Sequence, residues 1–129
     1  MATDEITSRT GKTWLDARHG IIRFEAFRGV EQEKEDAVEN IDAILRICQG
    51  KKYPLLVDLA RSKGLGQEAR EYYGGPVART SYTALALIGS SPISRMLGNM
   101  WFAIYGDRDA PTKIFGSEAE AIEWLKGFR

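Results

Sequence analysis

Between Val57 and Tyr73 the chain reads VDLARSKGLGQEAREYY. Ser62 offers a hydroxyl that a kinase can phosphorylate. Arg61 and Lys63 are cations on either side of it, and Gly64 and Gly66 let backbone amides approach a partner closely. Gln67, Glu68 and Arg70 then open a helical pattern, whose first N–H groups carry positive dipole character. Such a loop serves as a phosphate cradle, a phosphorylation switch or a plain turn, and glycine turns of this composition are common. Glu68 and Arg70 are suited to acid–base or anion work, but solvated first-turn charges ordinarily do little.

Other reactive groups are sparse. TGKT, Thr10 to Thr13, matches the end of a nucleotide-binding loop. The glycine required five positions before its GK is replaced by Ile6, no strand is expected before it, and a strand-like pattern follows. His19 is the sole histidine and falls in a turn, ARHG. Cys48, the sole cysteine, lies on the apolar stripe of a helix and reads as a core residue. One His and one Cys are too few soft ligands for a metal site, and no nucleophile–base–orienter set is visible. The expectation is a protein that is not an enzyme, with no cofactor and no metal.

These residues must be positioned by one small domain. The chain has 129 residues, 43% apolar and 28% charged, with 18 basic and 18 acidic side chains and a formal net charge of zero. No global field steers it toward nucleic acid, and no apolar run approaches the ~20 residues of a membrane span. A lone thiol and an N-terminus without an apolar signal stretch point to the cytoplasm.

Residues 1–12 are polar and expected to be flexible, leaving a single domain over 13–129. Thr13 to Asp16 forms a short strand, Ile21 to Phe27 alternates in polarity, and the two pair as a hairpin. Glu31 to Cys48 switches to helical period, with Val38, Ile41, Ile44, Leu45 and Cys48 as its apolar stripe and acids opposite. Leu55 to Leu59 and Thr83 to Gly89 are near-continuous apolar runs, the mark of strands covered on both faces. Gln67 to Arg79 is helical with a break at Gly74-Gly75-Pro76. Pro111 to Phe115 is a strand, and Ser117 with Glu120 caps a last helix carrying Ala121, Ile122 and Leu125 inward. The predicted order is β-β-α-β-α-β-α-β-α, an α/β fold with an open, mostly parallel sheet and an N-terminal hairpin.

Ser90 and Ser91, followed by Pro92, make a helix start beside the Ser62 loop, with Arg95 one turn in. That helix carries Met96, Leu97, Met100, Trp101 and Phe102 and is apolar around more than half its circumference. Such a surface serves a homodimer contact or lines a pocket for an apolar ligand.

The pattern LLVDL…EAR…YTALALIGSSPISRMLGNMW…PTKIFGSEAEAIEWLK, over Trp14 to Phe128, resembles the STAS domain, the SpoIIAA-like fold of anti-sigma factor antagonists. It is most similar to small bacterial STAS/SEC14-like proteins of undefined role. The resemblance implies a non-enzymatic regulatory protein–protein interaction module whose partner is an unknown regulatory protein. In that family the loop after the third strand carries a phosphorylated serine. Counted without gaps from Leu59, that switch falls on Gly66-Gln67-Glu68-Ala69, where Glu68 supplies permanent charge and no acceptor stands. The alternative register puts the acceptor at Ser62, but without the aspartate before it. The interaction surface expected is Ser62 to Glu68 with Ser90 to Arg95. The SEC14 side of the likeness implies instead a carrier of an apolar, lipid-like ligand.

Overall fold

The computed structural model describes residues 5–58, 61, 63–89 and 110–129. Eight strands and four α-helices are described: β1 Glu5–Thr7, β2 Gly11–Asp16, β3 Ile21–Ala26, β4 Glu31–Gln32, α1 Lys34–Cys48, β5 Leu55–Asp58, β6 Gly64–Leu65, α2 Gln67–Tyr73, α3 Pro76–Arg79, β7 Leu85–Ile88, β8 Thr112–Phe115 and α4 Glu118–Leu125, with a short 3-10 turn Lys126–Phe128 behind it. Six strands form one sheet in the order β1-β2-β3-β5-β7-β8. β1, β2 and β3 are an antiparallel meander, and β3, β5, β7 and β8 run parallel.

The parallel ladder is built from adjacent apolar residues that face opposite ways. Ile22, Leu55, Leu85 and Leu87 join Ile41, Ile44, Ile47 and Cys48 of α1 and Ala78 of α3 in one core. Their neighbours Ile21, Leu56, Ala84, Ala86 and Ile88 join Ala121 and Leu125 of α4 in a second core on the other face. Phe115, Trp124 and Phe128 pack in series at the rim of that second core, with ring centroids 5.6 and 4.8 Å apart. Ser117 caps α4 by accepting from the Glu120 N–H at 3.3 Å.

Four expectations are corrected. Residues 5–12 are not frayed: Glu5–Thr7 is an edge strand on β2, and Thr10 is buried. A strand therefore does precede TGKT, yet Gly11 to Thr13 is itself strand, so no phosphate loop forms there. On α1, Val38 and Leu45 are 41% and 46% exposed, while Asp36 and Asn40 are buried. Partnered polar groups have taken core positions that the apolar count assigned elsewhere. The helix starts at Lys34, because Glu31–Gln32 is drawn into β4. The helix expected after Ser91, with its apolar residues, lies outside the described residues.

Gly11 marks the tightest approach in the meander. A Cβ there would lie 2.5 Å from the Glu25 carbonyl oxygen and 2.6 Å from the Phe24 ring. Backbone and a core ring cannot both retreat, so Gly11→Ala is expected to cost about 1–3 kcal/mol. Urea unfolding of the variant measures it, and an unchanged midpoint would show that the meander yields.

Candidate functional site

The parallel strands β3 and β5 are neighbours, so the chain leaves both at the same edge of the sheet. The two exits are then stitched together by backbone. The Gly29 N–H donates to the Arg61 carbonyl at 3.0 Å, Lys63 to Val30 at 3.3 Å and Gly66 to Gln32 at 2.9 Å. The result is a second, two-stranded parallel sheet, β4 with β6, in which Gln32 faces Leu65. Gly64 takes φ of 144°, which a side chain would strain. Gly66 is the N-cap of α2.

The glycine corner is therefore ordered by its neighbour loop, yet its side chains reach water. Lys63, Gln67 and Glu68 are exposed, Gly66 and Arg70 are half-buried, and Gly64 is buried. Gln67 donates to Glu71 at 3.3 Å. A Cβ built on Gly66 would sit 3.4 Å from Oε2 of Glu33, so a carboxylate of the chain itself lies against the start of α2. The structure thus brings Lys63, Gly64, Gly66, Gln67, Glu68 and Arg70 to one corner. Ser62, Ser90, Ser91, Arg95, Met96, Met100, Trp101 and Phe102 lie outside the described residues.

Beside the corner runs an open groove of about 650 Å³, lined by Arg9, Gly29, Val30, Glu31, Glu33, Glu35 and Asp36. Arg9 reaches in from the β1–β2 turn. Its Nε donates to Asp36 at 2.9 Å, a second nitrogen pairs with the same carboxylate, and that nitrogen also reaches the Glu31 carbonyl at 3.1 Å. Asp36 accepts as well from the Glu33 N–H at 2.8 Å and so ties off the start of α1. Hydrogen bonding from Arg9 holds the Asp36 carboxyl below its ordinary range, against the opposing effect of burial, with the Glu33 amide and the Arg9 charge helping.

Beneath the groove lies a polar cluster that no motif or period announces. Asn40 Nδ2 donates toward Thr10 at 3.2 Å, Gln32 at 3.3 Å and Tyr73 at 3.1 Å, its two protons shared among three acceptors. Ser8 donates to Asn40 Oδ1 at 2.8 Å, and the Tyr73 hydroxyl donates to Gln32 Oε1. Burial pushes the Tyr73 phenol up, against the bond from Asn40, so it stays protonated and a donor.

The remaining reactive groups sit elsewhere. Cys48 is buried in the α1 core, and burial pushes its thiol up, against a bond from the Tyr53 backbone. Such a thiol is inert. His19, in the β2–β3 turn, shares the Asp16 carboxylate with Arg23, at 2.8 and 3.3 Å. Burial raises the Asp16 carboxyl, but the hydrogen bonds from His19 and then Arg23 outweigh it and leave it lowered. Arg23 also pairs with Glu118 and lies 5.4 Å from the Trp14 ring centroid. Among the described residues no group of three or more His, Cys, Asp and Glu side chains is placed to hold a metal, and no helix is long and apolar enough to cross a membrane.

A family model described as a domain of unknown function, DUF7793, matches residues 13–129. The fold is SpoIIAA-like. A crystal structure of an uncharacterised DUF3478-family protein with that fold, from Shewanella loihica PV-4, superposes with a TM-score of 0.61 at 16% identity, covering 94% of this chain and 89% of that one. A protein of unknown function from Arthrobacter sp. FB24 is 30% identical over 95% of this chain and 98% of its own, with a TM-score of 0.32. No curated protein matches the chain.

Asp36 and Asp16 set the acid behaviour. A carboxyl lowered in the folded state adds stability that is complete above its unfolded pKa, near 4, and is lost as pH falls through the folded value. Stability is expected to drop on acidification below about pH 4. Asp36→Asn should cost about 1–2 kcal/mol at neutral pH and flatten part of that drop, because it forfeits the helix-start acceptor and the ion pair. Urea melts between pH 3 and 7 read both, and parallel pH profiles for the two proteins would remove Asp36 from the account.

Proposed function

For this chain, which belongs to the DUF7793 family of unknown function, we propose a non-enzymatic regulatory protein–protein interaction module of STAS type that works without a phosphoserine switch at the start of α2. One observation carries the reading. Beyond β5, Arg61, Lys63 and Gly66 are held by main-chain hydrogen bonds to the β3–α1 loop while Lys63, Gln67 and Glu68 stand in water. A surface ordered before binding loses little entropy on docking, which suits recognition by a protein partner.

The charge pattern supports a protein partner over a free anion. Glu33 already occupies the approach to Gly66, and Glu68 gives the first turn of α2 a fixed negative charge. In the ungapped register Glu68 lies within the tetrad where STAS antagonists place the phosphorylated serine. The protein then acts as a binder whose charge does not toggle there. The groove beside it, walled by carboxylates and Arg9, extends the polar surface.

A photo-crosslinking residue at position 63, in cells of the native host, is expected to trap a discrete protein adduct. The same residue at position 126, on the 3-10 turn beyond α4, serves as control. Glu68→Arg should lower the adduct at least about tenfold, since like-charge juxtaposition at an interface is costly. Equal trapping from positions 63 and 126, or indifference to Glu68→Arg, would overturn the reading.

A further inference from the structure

The polar cluster beneath the groove joins four parts of the fold that are far apart in sequence. Ser8 and Thr10 come from the β1–β2 turn, Gln32 from β4, Asn40 from the second turn of α1 and Tyr73 from the last position of α2. Thr10, Gln32 and Asn40 are buried, and each is met by a partner within the cluster. Buried polar groups in apolar surroundings are costly when a partner leaves, so such a cluster favours a single arrangement.

Its placement is specific to the corner. Gln32 uses its side chain on Tyr73 and Asn40, and its backbone carbonyl accepts from Gly66, the N-cap of α2. One residue therefore holds both ends of the seven-residue helix, the N-cap through its main chain and the last position through its amide. In α2, Ala69 is the one fully buried residue, and Tyr72 and Tyr73 pack partly buried against the α1 core. The helix is only seven residues long, so the hydrogen bonds at its two ends add to that packing in restraining it.

We propose that the Tyr73–Gln32–Asn40 cluster is a latch that holds α2 and the β4–β6 stitch in one preformed position, with Tyr73 as the positioning residue. The purpose of the latch rests on the docking reading above, but its existence does not. The phenol hydroxyl sets how often the corner opens, while the main parallel ladder is indifferent to it. A partner that meets the corner finds it already shaped.

Native-state hydrogen exchange on the full chain tests this without any partner, so its failure leaves the docking reading standing, and the crosslinking result leaves the latch untouched. Tyr73→Phe removes the hydroxyl and keeps the ring. The amides of Lys63, Gly66 and Arg70, bonded to Val30, Gln32 and Gly66, are expected to exchange about fivefold faster or more, the scale of one lost hydrogen bond. The amides of Leu55 and Leu85, bonded to Ala84 and Pro111 across the main sheet, are expected to keep their rates. Gln32→Met, which removes the acceptor, should reproduce the pattern and stands in if Tyr73→Phe does not fold. Tyr72→Phe should leave it unchanged. Acceleration by one common factor throughout the sheet, no acceleration at the corner, or the same pattern from Tyr72→Phe would each overturn the latch.

Discussion

Parallel pairing of β3 with β5 and of β5 with β7 obliges each connection to begin at one edge of the sheet and return to the other. The candidate corner follows from that obligation. The segments leaving β3 and β5 emerge side by side, with free backbone groups and no helix yet begun. Both must satisfy their amides and carbonyls, and they do so with each other. The two-residue strands β4 and β6 are the outcome, and their position decides where α1 and α2 can start.

Helix placement then separates the two cores. The helices α1 and α3 pack on the Ile22, Leu55 and Leu85 side, and α4 packs on the Ile21, Leu56 and Ala86 side. The corner rises at the edge of the sheet, at the margin of the first core, where Tyr72 and Tyr73 of α2 are only partly buried. Polar groups do there what apolar packing does elsewhere: Arg9 with Asp36 at the start of α1, and Asn40, Gln32 and Tyr73 under the end of α2.

The ladder was legible in the sequence because runs such as Leu55 to Val57 and Leu85 to Ile88 are apolar on both faces, and the Gly74–Pro76 break between α2 and α3 because proline and glycine punctuate locally. The chain turn ahead of α2 was legible for the same reason, through Gly64 and Gly66. What escaped depended on partners distant in the chain. Glu5–Thr7 is too short to read as a strand until β2 lies beside it, and β4 with β6 exists only because two loops meet. Asn40 and Asp36 look like surface residues of an amphipathic helix, whereas Val38 and Leu45 look buried. Only the hydrogen bonds from Ser8 and Arg9, and the one Asn40 gives to Tyr73, reverse that assignment. Such a cluster of Ser, Thr, Asn, Gln and Tyr has no period and no motif.

The second core closes on α4, whose Ala121 and Leu125 cover residues as early as Ile21. A ribosome delivers α4 after every strand it shields. Among the described residues no other helix packs on that side, so before α4 emerges the aliphatic stripe from Ile21 to Ile88 is open to other nascent chains or to a chaperone. Closure of the second core is consequently timed by the arrival of α4 rather than by the assembly of the ladder.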